Sequence, residues 1–174
     1  AGRTHRHAFA IGNARGAPAD TPPLGLSLMY TISGEMVRAF YQRAHKVAVS
    51  GERRISFSFR CDAPDVKRRM KMSISPLRVG AEVAGVLYQS TILSERTRPP
   101  LRFLEISEAL EQYKEEPAPL VGICSFCSKI NWPSGTATTW MEPEDYYRFG
   151  GTSEVRISHG VCPPCAESTD QLVS

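Results

Sequence analysis

Cys124-Ser125-Phe126-Cys127 and Cys162-Pro163-Pro164-Cys165 are the stretches on which the reading of this chain turns. A Cys-x-x-Cys turn presents two thiolates from one short loop, and two such loops complete the four-sulfur tetrahedron that Zn²⁺ favours. The 34 residues between Cys127 and Cys162 exceed the usual ribbon spacing, so they must carry structure of their own and return the chain to the metal. Their residues suit that task. Ile130-Asn131-Trp132 reads as a short strand and Pro133-Ser134-Gly135 as a turn. Glu142 to Arg148 reads as a helix with Pro143 and acids in its first turn, stopped by Gly150-Gly151. Val155-Arg156-Ile157-Ser158 alternates like a strand leading into the second pair, where Pro163-Pro164 stiffens the knuckle. A small zinc-ribbon-like unit is expected over 119–174, with Cys124, Cys127, Cys162 and Cys165 as ligands of structural Zn²⁺.

Other readings of the same cysteines stay open: two disulfides, a redox-active pair, or another metal that accepts soft ligands. No βαβ pattern flanks either pair, and a fifth cysteine, Cys61, makes an odd number for a disulfide scaffold. A cytoplasmic protein is therefore expected. Four thiolates leave no coordination position for water, so the metal is read as structural. Cys61-Asp62 lacks a neighbouring base, and the chain is not read as an enzyme. His159, three residues before Cys162, is a spare ligand or a group that hydrogen-bonds a thiolate or carbonyl; the second role is expected because four sulfurs suffice. Cys61 continues the alternation of Ile55, Phe57 and Phe59, which predicts a small buried hydrophobe.

At 174 residues the chain can bury one sizeable core plus a metal-stapled unit. No apolar run approaches the roughly 20 residues of a membrane helix, so no membrane span is expected. The net charge of +3 conceals a division: residues 1–102 carry 17 basic and 7 acidic side chains, residues 103–174 carry 4 and 11. Either the two parts attract one another, or the basic part faces an acidic partner, for which Arg60, Arg68, Arg69 and Lys71 are candidate contacts. Together with Arg53, Arg54 and Lys67 the same cluster supports a second function, a zinc-containing regulator that binds nucleic acid through its basic strand face.

Residues 1–23 are acid-poor and rich in Ala, Gly, Arg and Pro, and read as an irregular arm; His5 and His7 belong to it. After Ser33-Gly34-Glu35, the residues Met36, Val37, Phe40, Tyr41, Ala44 and Val47 recur at helical spacing, and Gly51 ends the helix. Three strands follow. Ile55, Phe57 and Phe59 alternate with polar residues in the first, Met70, Met72 and Ile74 in the second, and Glu82 to Leu93 supplies the third. Asp62-Ala63-Pro64-Asp65 and Pro76 to Gly80 read as the turns of an antiparallel meander. Residues 103–118 read as an acidic helix, with Phe103, Ile106, Leu110 and Tyr113 on one face, and a Glu-Pro linker with a domain boundary near 117.

A helix followed by a three-stranded meander resembles the C-terminal half of a PAS domain, and Arg60-Cys61-Asp62-Ala63-Pro64 with Arg68-Arg69-Met70 resembles a run in small bacterial PAS-like proteins. Cys124 to Ile130, Trp140, Tyr146 and Ser158-His159-Gly160-Val161-Cys162-Pro163-Pro164-Cys165 look like the zinc-binding tail that follows PAS or receiver domains in bacterial signalling proteins. Together the stretches cover residues 24–168. The resemblance implies an α+β fold, a PAS-like antiparallel sheet with flanking helices over 24–102, and a sensory or protein-interaction module. Such domains hold a haem, flavin or metabolite between sheet and helices, or pair with another copy. Phe40, Ile55, Phe57, Phe59, Met70 and Met72 are the candidate pocket or interface. His45 lies in the helix that could present a haem ligand, although its place between Arg43 and Lys46 also suits a surface histidine.

Overall fold

The computed structural model describes residues 27–32, 34–50, 53–102, 119–134 and 137–174. The arm at 1–23, with His5 and His7, and the acidic helix and boundary at 103–118 lie outside these residues. The order is α1 (Leu28–Thr31), α2 (Glu35–Val49), β1 (Ile55–Arg60), β2 (Val66–Val79), β3 (Glu82–Thr97), β4 (Leu120–Cys124), β5 (Ile130–Ser134), β6 (Ala137–Met141), α3 (Pro143–Arg148), β7 (Arg156–Gly160) and α4 (Pro163–Val173). The fold is α+β. Strands β1 to β3 form an antiparallel sheet in that order, and a second sheet runs β6-β5-β4-β7. Among the described residues no helix is long and apolar enough to cross a membrane.

Two compact units are built from these elements. One takes the described residues up to Ser56 together with Ser73–Gln89 and Leu172–Ser174; the other takes Phe57–Met72 and the described part of Ser90–Gln171.

In the first unit α2 buries Val37, Phe40, Ala44 and Ala48, alongside Ile55 and Ile74. The 3.6-residue period is present, but the face is turned from the expected one: Met36 is 55% exposed and Ala48 is fully buried. A small residue at 48 serves where the helix runs close to its neighbours, which a count of large apolar side chains overlooks. Ser73 is also buried, and its hydroxyl accepts from Arg54 Nη2 at 2.8 Å and meets Ser56 Oγ at 3.1 Å.

Strand β2 is longer than expected. Pro76 to Val79 belong to it, and the turn narrows to Gly80-Ala81, with Gly80 at φ +62 in the left-handed region that glycine tolerates. Proline is tolerated where one side of a strand has no neighbour, and β1, six residues long, cannot flank all fourteen residues of β2. The turn at Asp62 to Asp65 forms as expected, closed by Ala63 N–H to Val66 O at 2.9 Å and the reciprocal bond at 3.2 Å. Cys61 is exposed, contrary to the expectation of burial. Strand β1 stops at Arg60, so the alternation ends before position 61 can inherit it.

The second unit holds the β6-β5-β4-β7 sheet. It is mixed: β5 pairs antiparallel with β4 and β6, whereas β7 runs parallel to β4, with Leu120 opposite Arg156 and Cys124 opposite Gly160. A parallel neighbour needs a long crossover, and the chain through β5, β6 and α3 supplies it. Strands β4 and β6 and helix α4 were not foreseen; Pro163-Pro164, read as a stiff knuckle, occupies the first turn of α4. Pro133 and Ser134, read as a turn, continue β5, and Gly135 lies outside the described residues. Leu101, Val121, Ile123, Ile130, Tyr146 and Val155 make the core beneath this sheet.

Tyr146 organises the return to β7. Its ring meets Trp132 edge-on at 4.6 Å, and its hydroxyl donates to Thr152 O at 2.8 Å while accepting from Thr152 N–H at 3.1 Å. Burial raises its pKa. A Cβ at Gly151 would overlap this ring, and Tyr146, 1% exposed, has nowhere to go. Gly151→Ala is expected to destabilise the protein by about 1–3 kcal/mol through overpacking, read as a lowered midpoint in thermal unfolding.

Candidate metal centre

Strand β4 ends at Cys124, and the chain turns so tightly that Cys124 N–H bonds Lys129 O at 2.8 Å and Ser128 N–H bonds Cys124 O at 2.9 Å. Ser128 takes φ +58 to close the knuckle. The parallel partner β7 delivers the second pair: Ser125 N–H reaches Gly160 O at 2.9 Å, and Cys162 N–H points at Cys124 Sγ at 3.4 Å. Cys165 then follows in the first turn of α4, and Ala166 N–H bonds Cys162 O at 3.0 Å.

These bonds bring the four sulfurs within 4.8 Å of one another, and Cys127 Sγ lies 3.6 Å from Cys162 Sγ. All four cysteines are free, with Cys124 and Cys162 buried and Cys127 and Cys165 half-buried. With Zn–S bonds of about 2.3 Å, tetrahedral geometry puts neighbouring sulfurs about 3.8 Å apart. The donor set therefore fits a divalent ion of that size, and four sulfurs close its shell. Among the thiols themselves, a hydrogen bond with Cys127 holds Cys124 well below the ordinary value, helped by the backbone N–H groups of Cys162, Cys127 and Phe126 and opposed by burial. The same bond and burial push Cys127 up, and burial raises Cys165 to about 12.

His159 stands on β7 opposite Ile123, and its side chain is exposed. Among the described residues it forms no hydrogen bond with the sulfurs. Trp140 does approach the centre's frame, lying 3.8 Å from where a Cβ on Gly160 would be.

Arg60 ties the first knuckle to β1. Its N–H bonds Phe126 O at 2.7 Å, its Nη1 donates to Cys127 O at 3.1 Å and to Glu142 Oε2 at 2.7 Å, and its guanidinium pairs with Asp62. Phe126 meets Phe57 edge-on at 5.9 Å. Asp62 also pairs with Arg98 at 3.0 Å, Arg98 reaches Glu144 at 3.4 Å, and Lys67 joins Glu142 at 2.8 Å. Glu142 is desolvated, yet Lys67 and Arg60 outweigh that and hold its carboxyl below the usual range. From the sequence, Asp62 reads as part of a turn and Glu142 as the start of a helix, but neither of them, nor Arg98, is given a part in an ion-pair network. No local signal marks them, because Arg60 and Glu142 are 82 positions apart.

The remaining candidates are dispersed. Arg68 pairs with Glu95, while Arg69 and Lys71 are exposed. Phe40, Ile55 and Phe57 are buried in the cores of their units; Phe59, Met70 and Met72 are half-buried. A cavity of 420 Å³ is lined by none of these six. Its walls are Ser27, Leu28, Met29, Gln42, His45, Lys46 and Tyr88. His45 is half-buried there rather than a plain surface residue: its ring stacks on Tyr88, and Nδ1 lies 2.7 Å from the Tyr88 hydroxyl. Burial raises the Tyr88 pKa and raises that of neighbouring Tyr41 to about 12. No protein-family model, curated protein or solved structure matches the chain.

Proposed function

We propose that this protein is a sensory or protein-interaction module of PAS-like type, whose four-cysteine centre holds structural Zn²⁺. The observation that carries the reading is the convergence of Cys124, Cys127, Cys162 and Cys165 on one point, in a shell with no position for a reacting molecule. The ion would join β4 to the start of α4. Arg60 and Phe126 add a route by which the state of this centre reaches β1 within the same unit. In the first unit, the His45–Tyr88 cavity offers a small ligand a polar wall and, from Leu28 and Met29, an apolar one. Binding there would shift the population of packed states, which is how such a module signals.

The nucleic-acid reading draws less support. Arg60, Lys67 and Arg68, three of the seven cations it needs, are engaged in ion pairs within the chain, where a phosphate would have to displace a carboxylate.

Native mass spectrometry of the chain purified from its own host tests the proposal. One zinc per chain, with a retained small molecule or a companion protein, is expected. A mass that fits two disulfides and no metal, or a chain with neither metal nor companion, overturns it.

A further inference from the structure

Strand β3 ends the three-stranded sheet, and among the described residues no strand lies beyond it. At sixteen residues it is about three times the common strand length, so a long row of N–H and C=O groups faces outward with no ladder partner among the described residues. Proteins blunt such edges with lysine, proline or bulges. Strand β3 has no lysine and no proline, its charged residues Glu82, Glu95 and Arg96 stand at its two ends and leave 83–94 without charge, and residues 89–97 are exposed on both faces. Leu87, Ile92 and Leu93 are 48%, 42% and 49% exposed. An edge that keeps its backbone bonds unspent and its apolar side chains in solvent is suited to another strand.

The order of its side chains says which strand. About Ser90 the pattern is symmetric: Leu87-Tyr88, then Gln89-Ser90-Thr91, then Ile92-Leu93. An antiparallel pair centred on Ser90 sets Leu87 opposite Leu93 of the second copy, Tyr88 opposite Ile92 and Gln89 opposite Thr91, each pairing occurring twice. Directly opposed apolar and polar pairs are the unit of sheet stabilisation. Charge agrees, because the strand opens on Glu82 and carries Arg96 next to its last residue, Thr97, and this register places each Glu82 diagonally across from the Arg96 of the second copy. A slip by one residue would oppose Leu87 to Ile92 and carry one of them to the wrong face. The geometry points to β3 as the edge along which two copies of this chain pair, antiparallel and centred on Ser90. This deepens the interaction reading by naming its partner, and the metal centre has no part in it.

Sedimentation equilibrium of the zinc-loaded full chain reads the outcome. Twice the chain mass of 19.2 kDa is expected at about 100 μM. Leu93→Lys, which opposes a charge to each Leu87, is expected to return the single-chain mass with zinc content and circular dichroism unchanged. Where Leu93→Lys fails to fold, register is tested without it. Ser90→Cys in a Cys61→Ser background is expected to give a cross-linked dimer with oxidised glutathione, while Ser94→Cys, facing Val86, gives none. A single-chain mass for the parent protein overturns the proposal, as does a dimer that survives Leu93→Lys or fails to cross-link through position 90. A monomer that still carries one zinc would remove this interface and leave the metal reading standing.

Discussion

Cys162→Ser is expected to reduce bound zinc from one ion per chain to near zero and to lower the thermal midpoint by on the order of 10 °C or more. Three features converge on this residue. Its thiol is buried and 3.6 Å from Cys127 Sγ, its N–H points at Cys124 Sγ, and its carbonyl accepts the first bond of α4 from Ala166. A serine keeps the backbone bonds and removes only the thiolate, so the loss reports the metal. Structural zinc in small domains contributes roughly 10 kcal/mol of apparent folding energy. The unit here also has an apolar core around Tyr146 and Ile130, so only part of that loss should show as instability. At roughly 2–4 °C per kcal/mol for a chain of this size, several kcal/mol give the stated shift. Cys61→Ser is the control, expected to be neutral because that thiol is exposed and is not one of the four clustered sulfurs. Elemental analysis with thermal unfolding, before and after a chelator, decides the matter. Full zinc content and an unchanged midpoint in Cys162→Ser would refute the clamp.

What the sequence disclosed and what it hid divide along physical lines. The four-cysteine cluster was legible because thiolate pairs at this spacing have few other uses, and helix α3 was legible because Pro143, two acids and Gly150-Gly151 are local signals read by the backbone itself. The α2 period was visible, yet its face was set by Ala48, a residue whose burial depends on what lies opposite rather than on its own hydrophobicity. Strand β4 escaped because Leu120 to Cys124 is too short to show alternation and gains its identity from β7, which returns from the far side of the crossover. Pro163-Pro164 was ambiguous: the same ring that stiffens a loop also starts a helix, and only the bond from Ala166 to Cys162 tells which. Cys61 shows the limit of periodicity, since alternation says nothing about where a strand stops. The charge division was visible as composition, but not that part of it is met inside the chain, with Arg60, Lys67 and Arg98 of the basic part on Glu142 and Glu144 of the acidic part.

That network leads to the second large effect, at Asp62. The carboxylate is 3% exposed and collects Arg60 Nε at 3.2 Å, the Arg68 N–H at 3.0 Å and Arg98 Nη1 at 3.0 Å, besides the terminal guanidinium contact with Arg60. Arg98 is 5% exposed and Arg60 11%, so two guanidinium groups rely on one buried anion. Asn at 62 keeps the shape, removes the charge and turns an amide N–H₂ toward donors. Breaking a buried ion pair from one side costs about 3–5 kcal/mol, because the stranded charge cannot recover its hydration. Glu142 and Glu144, each about a third exposed, can take up some of it, so the lower end of that range is expected. Removing the stranded cation as well should return part of the loss: Asp62→Asn with Arg98→Met is expected to be less destabilised than the sum of the single changes. Asp65→Asn, on the exposed side of the same turn, should stay within about 0.5 kcal/mol of the parent. Denaturant unfolding of the parent and these variants, Arg98→Met alone included, measures these differences, and an Asp62→Asn chain within about 1 kcal/mol of the parent would show that the network does not hold the turn. Because Arg60 also donates to Cys127 O, a freed guanidinium should loosen the first knuckle, so Asp62→Asn is expected to surrender zinc to a chelator faster than the parent while Asp65→Asn does not.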